Sequence, residues 1–74
     1  LNRVTVPYQY LSEPMLKTII NRSGANLREG PSTDYSVVSH YDRDMVVAVI
    51  AQEGEWFFVN RSGSFGWMHT EAFR

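Results

Sequence analysis

The sequence predicts an all-β domain, a small barrel or sandwich of about five short antiparallel strands. Runs of β-branched and aromatic residues recur at spacings of roughly 8–12 residues, and turn-forming residues separate them. No segment combines good helix formers with apolar residues three and four positions apart. A barrel also removes the exposed edges that an open sheet of these strands would have. Together these observations favour a small barrel or sandwich over a helical or mixed fold.

The length of 74 residues suits one domain with one modest core. A chain of this size buries only about 60–65% of its unfolded surface, which leaves little room for an enclosed catalytic pocket. Hydrophobic residues make up 43% of the chain and aromatic residues 14%. This composition favours a globular fold with some aromatic side chains exposed for contact.

Charge and residue usage exclude several classes of function. A formal charge of -1 and scattered basic residues give no electrostatic footprint for nucleic acid. The absence of cysteine excludes disulfides, thiolate zinc sites and a cysteine nucleophile. No apolar run approaches the roughly 20 residues that span a bilayer. We therefore expect no nucleic-acid partner, no membrane insertion, no cofactor and no metal.

The elements can be assigned in chain order. Residues 1–16 alternate like a strand but contain Pro7 and Pro14, which predicts an N-terminal extension, a linker or an added edge strand. The domain proper is expected at residues 17–74. The predicted strand segments are 17–21, 25–28, 37–41, 45–51, 56–60 and 65–69, with one helical turn at 70–72. The run at 45–51 is apolar at both odd and even positions, which indicates that this strand is buried on both faces over part of its length.

Residues 25–38 contain the densest turn signal in the chain, between two short strands. Pro31 fixes φ and removes a backbone donor, and Gly30 is expected to permit a backbone that other residues resist. The loop carries an aromatic ring, Tyr35, and a carboxylate, Asp34, outward. Such a loop suits binding better than bond-making.

The same stretch, Ala-Asn-Leu-Arg-x-Gly-Pro-Ser-Thr-x-Tyr-x-Val at 25–37, resembles the opening signature of bacterial SH3-like domains. Three further motifs match the same family pattern in order and spacing: Val-Ala-Val-Ile at 47–50, Gly-x-Trp-Phe-x-Val at 54–59 and Gly-Trp-Met at 66–68. The resemblance covers residues 17–74. It implies an SH3-like barrel and a non-catalytic module of a bacterial cell-envelope protein. Such a module binds peptidoglycan or a peptide, or packs against a neighbouring domain of its parent protein, in the periplasm, in the cell wall or after secretion.

Pattern and resemblance together predict the core. The side chains expected to point inward are Leu27, Val38, Val47, Val49, Val59, Met68 and Phe73. Burial of each contributes roughly 1.5–3 kcal/mol. A charged substitution at Val49 should therefore unfold the domain.

The two histidines are the only candidate imidazoles for an enzyme. His40 follows Ser39 and lies near Asp42, but Ser39 and His40 are adjacent on a predicted strand and so point to opposite faces. Two distant histidines without cysteine also make a weak metal site. We therefore interpret the chain as non-catalytic, with His40 as an exposed strand residue.

The implied barrel predicts an aromatic groove with carboxylates at its rim. The side chains expected there are Tyr35, Trp56, Trp67, Asn26, Arg28, Asp34 and Glu55. Tyr and Trp combine apolar surface with a polar group, so they commonly anchor contacts with peptides or sugars. Asn26 and Arg28 would either contact the ligand or brace the first loop.

Recognition of proline-rich peptides is a minor alternative. Trp56 stands where the SH3 domains that bind such peptides have their groove tryptophan. However, their Ala-Leu-Tyr-Asp-Tyr motif is missing, and His69 and Ala72 replace their Pro and Tyr near the C-terminal end. Without those rings the slots that hold a polyproline helix are incomplete.

Overall fold

A computed structural model describes residues 3–74 of the chain. The elements are β1 (Met15–Thr18), β2 (Ala25–Arg28), β3 (Val37–Tyr41), β4 (Val46–Glu53), β5 (Trp56–Arg61), β6 (Ser64–His69) and a 3-10 turn (Thr70–Phe73). All six strands form one antiparallel sheet in the order β1-β4-β5-β6-β2-β3. The all-β prediction is confirmed, and the architecture is that of a small SH3-like β fold. The six strands correspond to the six predicted segments, with β1 beginning two residues before its predicted start at residue 17.

The sheet curls around an inner cluster to which strands β2 to β6 all contribute. Its members are Ile19, Leu27, Tyr41, Val47, Val49, Phe57, Val59, Met68 and Ala72. Leu27 on β2 and Val49 on β4 belong to strands that are not neighbours in the sheet, so only a curled sheet brings them together. Five predicted core residues are buried as expected, and Phe73 is half-buried against the same cluster.

Val38 was predicted to point inward, and this prediction is wrong. Its side chain is 42% exposed. The pairing of β2 with β3 steps from Leu27 opposite Ser39 to Arg28 opposite Val37. Val38 is therefore the extra residue of a β-bulge on an edge strand, and the bulge turns it out of the core.

A second bulge divides strand β4 between two faces. The pairing with β5 steps over Ile50, from Val49 to Ala51. Val49 faces the inner cluster, whereas Ala51 joins Phe58 and Trp67 in an outer cluster on the other face of the sheet. Buried residues thus alternate along the strand, and the bulge shifts them from the inner face to the outer face. Ile50, between two of them, packs half-buried against the outer cluster, so the expected burial on both faces is found next to the bulge.

Residues 3–14 form an N-terminal strap that crosses the barrel without joining the sheet. The Thr5 N–H donates to the Glu29 carbonyl at 2.7 Å, and the Leu11 N–H donates to the Ile50 carbonyl at 2.9 Å. The predicted extension at 1–16 thus overlaps the start of β1 at Met15, and its first two residues lie outside the described range. Within residues 3–14 the strap contains no strand.

Candidate functional site

A cavity of about 280 Å³ opens between strand β2, the first loop, the start of β5 and the 3-10 turn. The side chains that matter for its chemistry are Asn26, Arg28, Thr33, Trp56, His69 and Glu71. Three of the predicted groove residues, Asn26, Arg28 and Trp56, are therefore brought together. We call this space the Trp56 cavity.

Trp56 supplies the aromatic wall of the Trp56 cavity. It directly follows the Gly54-Glu55 turn, and the pairing of β5 with β6 sets it opposite His69. The two rings meet edge to face, with centroids 5.0 Å apart and an interplanar angle of 82°. Because Trp56 is only half-buried, part of its indole remains available to a ligand.

Arg28 and Asn26 both make contacts that hold the surrounding structure in place. Arg28 Nη1 donates to the Tyr35 carbonyl at 2.9 Å and to the Thr33 carbonyl at 3.3 Å. Asn26 Oδ1 lies 2.9 Å from His40 Nδ1, across the β2–β3 pair. Arg28 therefore braces the first loop, which is one of the two roles that the sequence left open.

Tyr35 lies outside the Trp56 cavity, and its ring covers Gly30. Gly30 does not adopt a left-handed φ, so the expectation that it supplies an unusual backbone is wrong. A Cβ at Gly30 would instead lie 2.5 Å from three atoms of the Tyr35 ring. Glycine is needed here because the ring approaches the backbone too closely for a side chain. Tyr35 keeps 40% exposure.

Trp67 was predicted to border the groove, but it does not line the Trp56 cavity. It is fully buried in the outer cluster, with its ring centroid 5.0 Å from that of Phe58. Its indole Nε1 donates to the Thr5 carbonyl at 2.8 Å. The strap covers this tryptophan, so in this structure it packs and does not face a ligand.

Glu55 and Asp34 also lie outside the Trp56 cavity. Glu55 Oε1 accepts hydrogen bonds from Thr70 Oγ1 at 2.9 Å and from Arg74 Nη2 at 3.0 Å. These contacts, with that of Thr70 the larger, lower the pKa of the Glu55 carboxyl below its ordinary value. Glu55 thus holds the C-terminal 3-10 turn in place. Asp34 is exposed in a turn of the first loop, where its backbone N–H donates to Ser32 Oγ at 3.0 Å.

Both histidines make local structural contacts. His40 Nε2 lies 3.0 Å from the Ser23 carbonyl, and His69 Nδ1 accepts from the Glu71 N–H at 3.0 Å. In the described part of the chain, neither imidazole hydrogen bonds a hydroxyl group, and no group of three His, Asp or Glu residues is placed to hold a metal. Across residues 3–74, no helix is long and apolar enough to span a bilayer.

His69 was not predicted to belong to the site, although the sequence contained a signal for it. The turn between β5 and β6 has left-handed φ at both central residues, 52° at Ser62 and 90° at Gly63. This is the backbone of a two-residue hairpin, which fixes the register of its strands. Counting pairs back from Arg61 opposite Ser64 places His69 opposite Trp56. Thr33 and Glu71 enter the site through tertiary packing, which leaves no comparable signal in the sequence.

Comparison with known families agrees with this architecture. A family model described as "Bacterial SH3 domain" matches residues 21–74. Neither the curated proteins nor the solved structures provide a match. The matched residues include strands β2 to β6, the 3-10 turn and all the side chains named for the Trp56 cavity. The chain belongs to the bacterial SH3 domain family.

Proposed function

We propose that this domain is a non-catalytic binding and targeting module of a bacterial cell-envelope protein, and that the Trp56 cavity holds peptidoglycan or a wall peptide. The observation that carries the proposal is a half-exposed tryptophan in an open cavity with polar neighbours, Asn26 and Arg28. Bacterial SH3 domains are binding modules that commonly occur in extracellular or cell-envelope proteins. Envelope placement and a wall ligand are consistent with that family.

The chemistry of the cavity suits a short segment of a polar polymer. Its volume of about 280 Å³ lies near the lower end of small-molecule sites, which span roughly 300–1,000 Å³. The Trp56 indole offers a flat apolar face to a sugar or an amino-acid side chain. A guanidinium carries five N–H groups, and Arg28 uses only Nη1 to brace the loop. It therefore keeps donors for a ligand carboxylate, such as the end of a wall peptide.

Titration of the labelled domain with soluble muropeptides, followed by NMR, tests this proposal. The indole N–H signal of Trp56 and the ring signals of His69 should shift, whereas the buried Trp67 indole serves as an internal control. Trp56→Leu should weaken binding at least about tenfold, equivalent to about 1.4 kcal/mol. Tyr8→Leu is the matched control, because that ring is 98% exposed and lies outside the cavity. Unmoved Trp56 signals at millimolar muropeptide would contradict the proposal.

A second candidate function is packing against a neighbouring domain of the parent protein. A larger groove of about 560 Å³ lies between β3 and the β5–β6 hairpin, and Val38 and Phe65 line it. These side chains are 42% and 38% exposed, and β3 is an edge of the sheet. An exposed apolar edge of this kind suits a folded partner. In the full-length parent, Val38→Asp should then release the domain into independent tumbling, and unchanged NMR relaxation would argue against packing at this groove.

A further inference from the structure

The N-terminal strap is held to the barrel mainly through its own backbone. The Thr5 N–H and the Leu11 N–H donate to carbonyls of Glu29 and Ile50. The Thr5 carbonyl accepts from the Trp67 indole at 2.8 Å. These groups are present in every extended peptide, so most of the recognition does not depend on the side chains of the strap.

The side chains of the strap that do contact the domain recur at every third position. Val4 packs against the outer cluster, Pro7 is buried, and the Tyr10 ring meets Phe58 edge to face with centroids 6.3 Å apart. Val6, between two of these positions, is 69% exposed. A three-residue repeat is that of an extended polyproline-type chain. The surface thus fits the pattern apolar-x-x-Pro-x-x-aromatic.

The strap is also built to detach more easily than the strands. It has isolated hydrogen bonds in place of a strand ladder, and most of its residues are exposed. Segments with few buried contacts open locally at lower free energy than core strands. Opening would uncover Trp67, which is otherwise fully buried, beside Phe58 and the half-buried Trp56.

We propose that the outer face over Trp67 and Phe58 is a second peptide-binding surface, and that the strap is its intramolecular occupant. The partner is an extended peptide with the apolar-x-x-Pro-x-x-aromatic pattern, bound through its backbone to the Trp67 indole and the Glu29 carbonyl. A tethered segment competes at an effective concentration of roughly millimolar. The strap therefore limits binding to peptides that outcompete it. Trp56 borders both this surface and the Trp56 cavity. The Trp67 indole signal, which the wall ligand should leave unmoved, therefore distinguishes the test of this surface from that of the wall ligand.

Full-length chains with a weakened strap provide the test. Val4→Asp charges a contact residue, and Val6→Asp makes the same change at an exposed position as a matched control. The probe is a fluorescent peptide with the sequence of residues 3–11. It should bind the Val4→Asp chain at least tenfold more tightly than it binds the wild type or Val6→Asp. Binding should restore the wild-type position of the Trp67 indole N–H signal, and a probe with serine at its proline should bind more weakly, because Pro7 is the buried residue of the strap.

Several results would overturn the proposal. One is a folded Val4→Asp chain that does not bind the peptide at millimolar concentration. Another is equal affinity of the peptide for the wild type, Val4→Asp and Val6→Asp. If Val4→Asp does not fold, native-state hydrogen exchange of the wild type decides the matter. The Thr5 and Leu11 amides must then exchange faster than those of β4 and β5, and equal protection overturns the proposal. Wild-type dimers with exchanged straps, seen by ultracentrifugation and NMR, would assign the surface to a second copy and overturn it too.

Discussion

Substitution of Gly30 by alanine probes how the first loop is held. Gly30 is buried beneath the ring of Tyr35, and its φ is not left-handed. The residue before a proline favours extended backbone, which alanine adopts without strain. The substitution therefore tests the approach of the ring and not the backbone conformation. Gly30→Ala should destabilise the wild-type domain but not a domain that lacks the Tyr35 ring.

The size of the effect follows from the distance. A Cβ at Gly30 would lie 2.5 Å from the ring atoms of Tyr35, whereas carbon atoms in contact are about 3.5–4.0 Å apart. The ring must retreat by about 1–1.5 Å. Because the ring is the outer end of a side chain that is 40% exposed, we expect a cost near the lower end of the about 1–3 kcal/mol that overpacking of a core causes. In a Tyr35→Ala background the space is free, and Gly→Ala at a compatible position stabilises by about 0.4–1 kcal/mol. The sign of the effect should therefore reverse, which gives a coupling of about 1.5–2 kcal/mol.

Urea unfolding followed by tryptophan fluorescence measures the four chains of this cycle. Tyr35→Phe is the control background, because it removes the hydroxyl and keeps the ring. There Gly30→Ala should cost as much as in the wild type. An equal cost in the wild-type and Tyr35→Ala backgrounds, within about 0.5 kcal/mol, would refute the role assigned to the ring.

Three further predictions concern the core, the C-terminal turn and the hairpin. Val49→Asp should unfold the domain, because Val49 is fully buried, whereas Val38→Asp should change its stability by no more than about 0.5 kcal/mol, as circular dichroism melts would show. Glu55→Gln should destabilise the domain at neutral pH, and the difference from the wild type should shrink in acid. The pKa of the Glu55 carboxyl is below its ordinary 4.5 in the folded state. The stabilisation from the ionised Glu55 is thus complete above pH 4.5 and is lost as the pH falls through the lower pKa of the folded state. A difference in unfolding free energy between the wild type and Glu55→Gln that stays constant from pH 7 to pH 2 in urea titrations would contradict this prediction. Ser62→Asn should raise the urea midpoint, with a gain of about 0.5–1 kcal/mol, because Asn-Gly is preferred where both turn residues have left-handed φ; a lowered midpoint would count against that turn type.

The parts of the fold that the sequence predicted are those encoded locally. Strands β2, β3 and β5 lie within one residue of their predicted bounds, because Gly, Pro, Asn and Asp interrupt the chain between them. Val47, Val49 and Val59 are buried as predicted, because strict alternation fixes the face of each strand residue. The fold class follows from these local signals alone.

The core prediction failed at a β-bulge. Val38 was expected inside from pattern and resemblance, but it is the unpaired residue of the bulge and is exposed. No residue type in that strand marks the bulge, since valine is favoured at both paired and unpaired positions of a strand. The bulge at Ile50 lies in a run that is apolar throughout, so the residue types there do not mark it either. A bulge is selected by tertiary pairing, so a local pattern cannot place it.

Which residues belong to the candidate site also depends on tertiary packing, between segments that are far apart in the chain. The sequence favoured ligand contact only somewhat more for Trp56 than for Trp67, because each tryptophan follows a glycine within two residues. The β5–β6 register sets Trp56 beside His69 at the open cavity, whereas Trp67 pairs with Phe58 and lies beneath a segment more than fifty residues away in the chain. Whether an aromatic residue faces a ligand is therefore decided by what else covers it. In this domain the strap covers Trp67 and leaves Trp56 accessible, and a partner that displaces the strap would expose Trp67 as well.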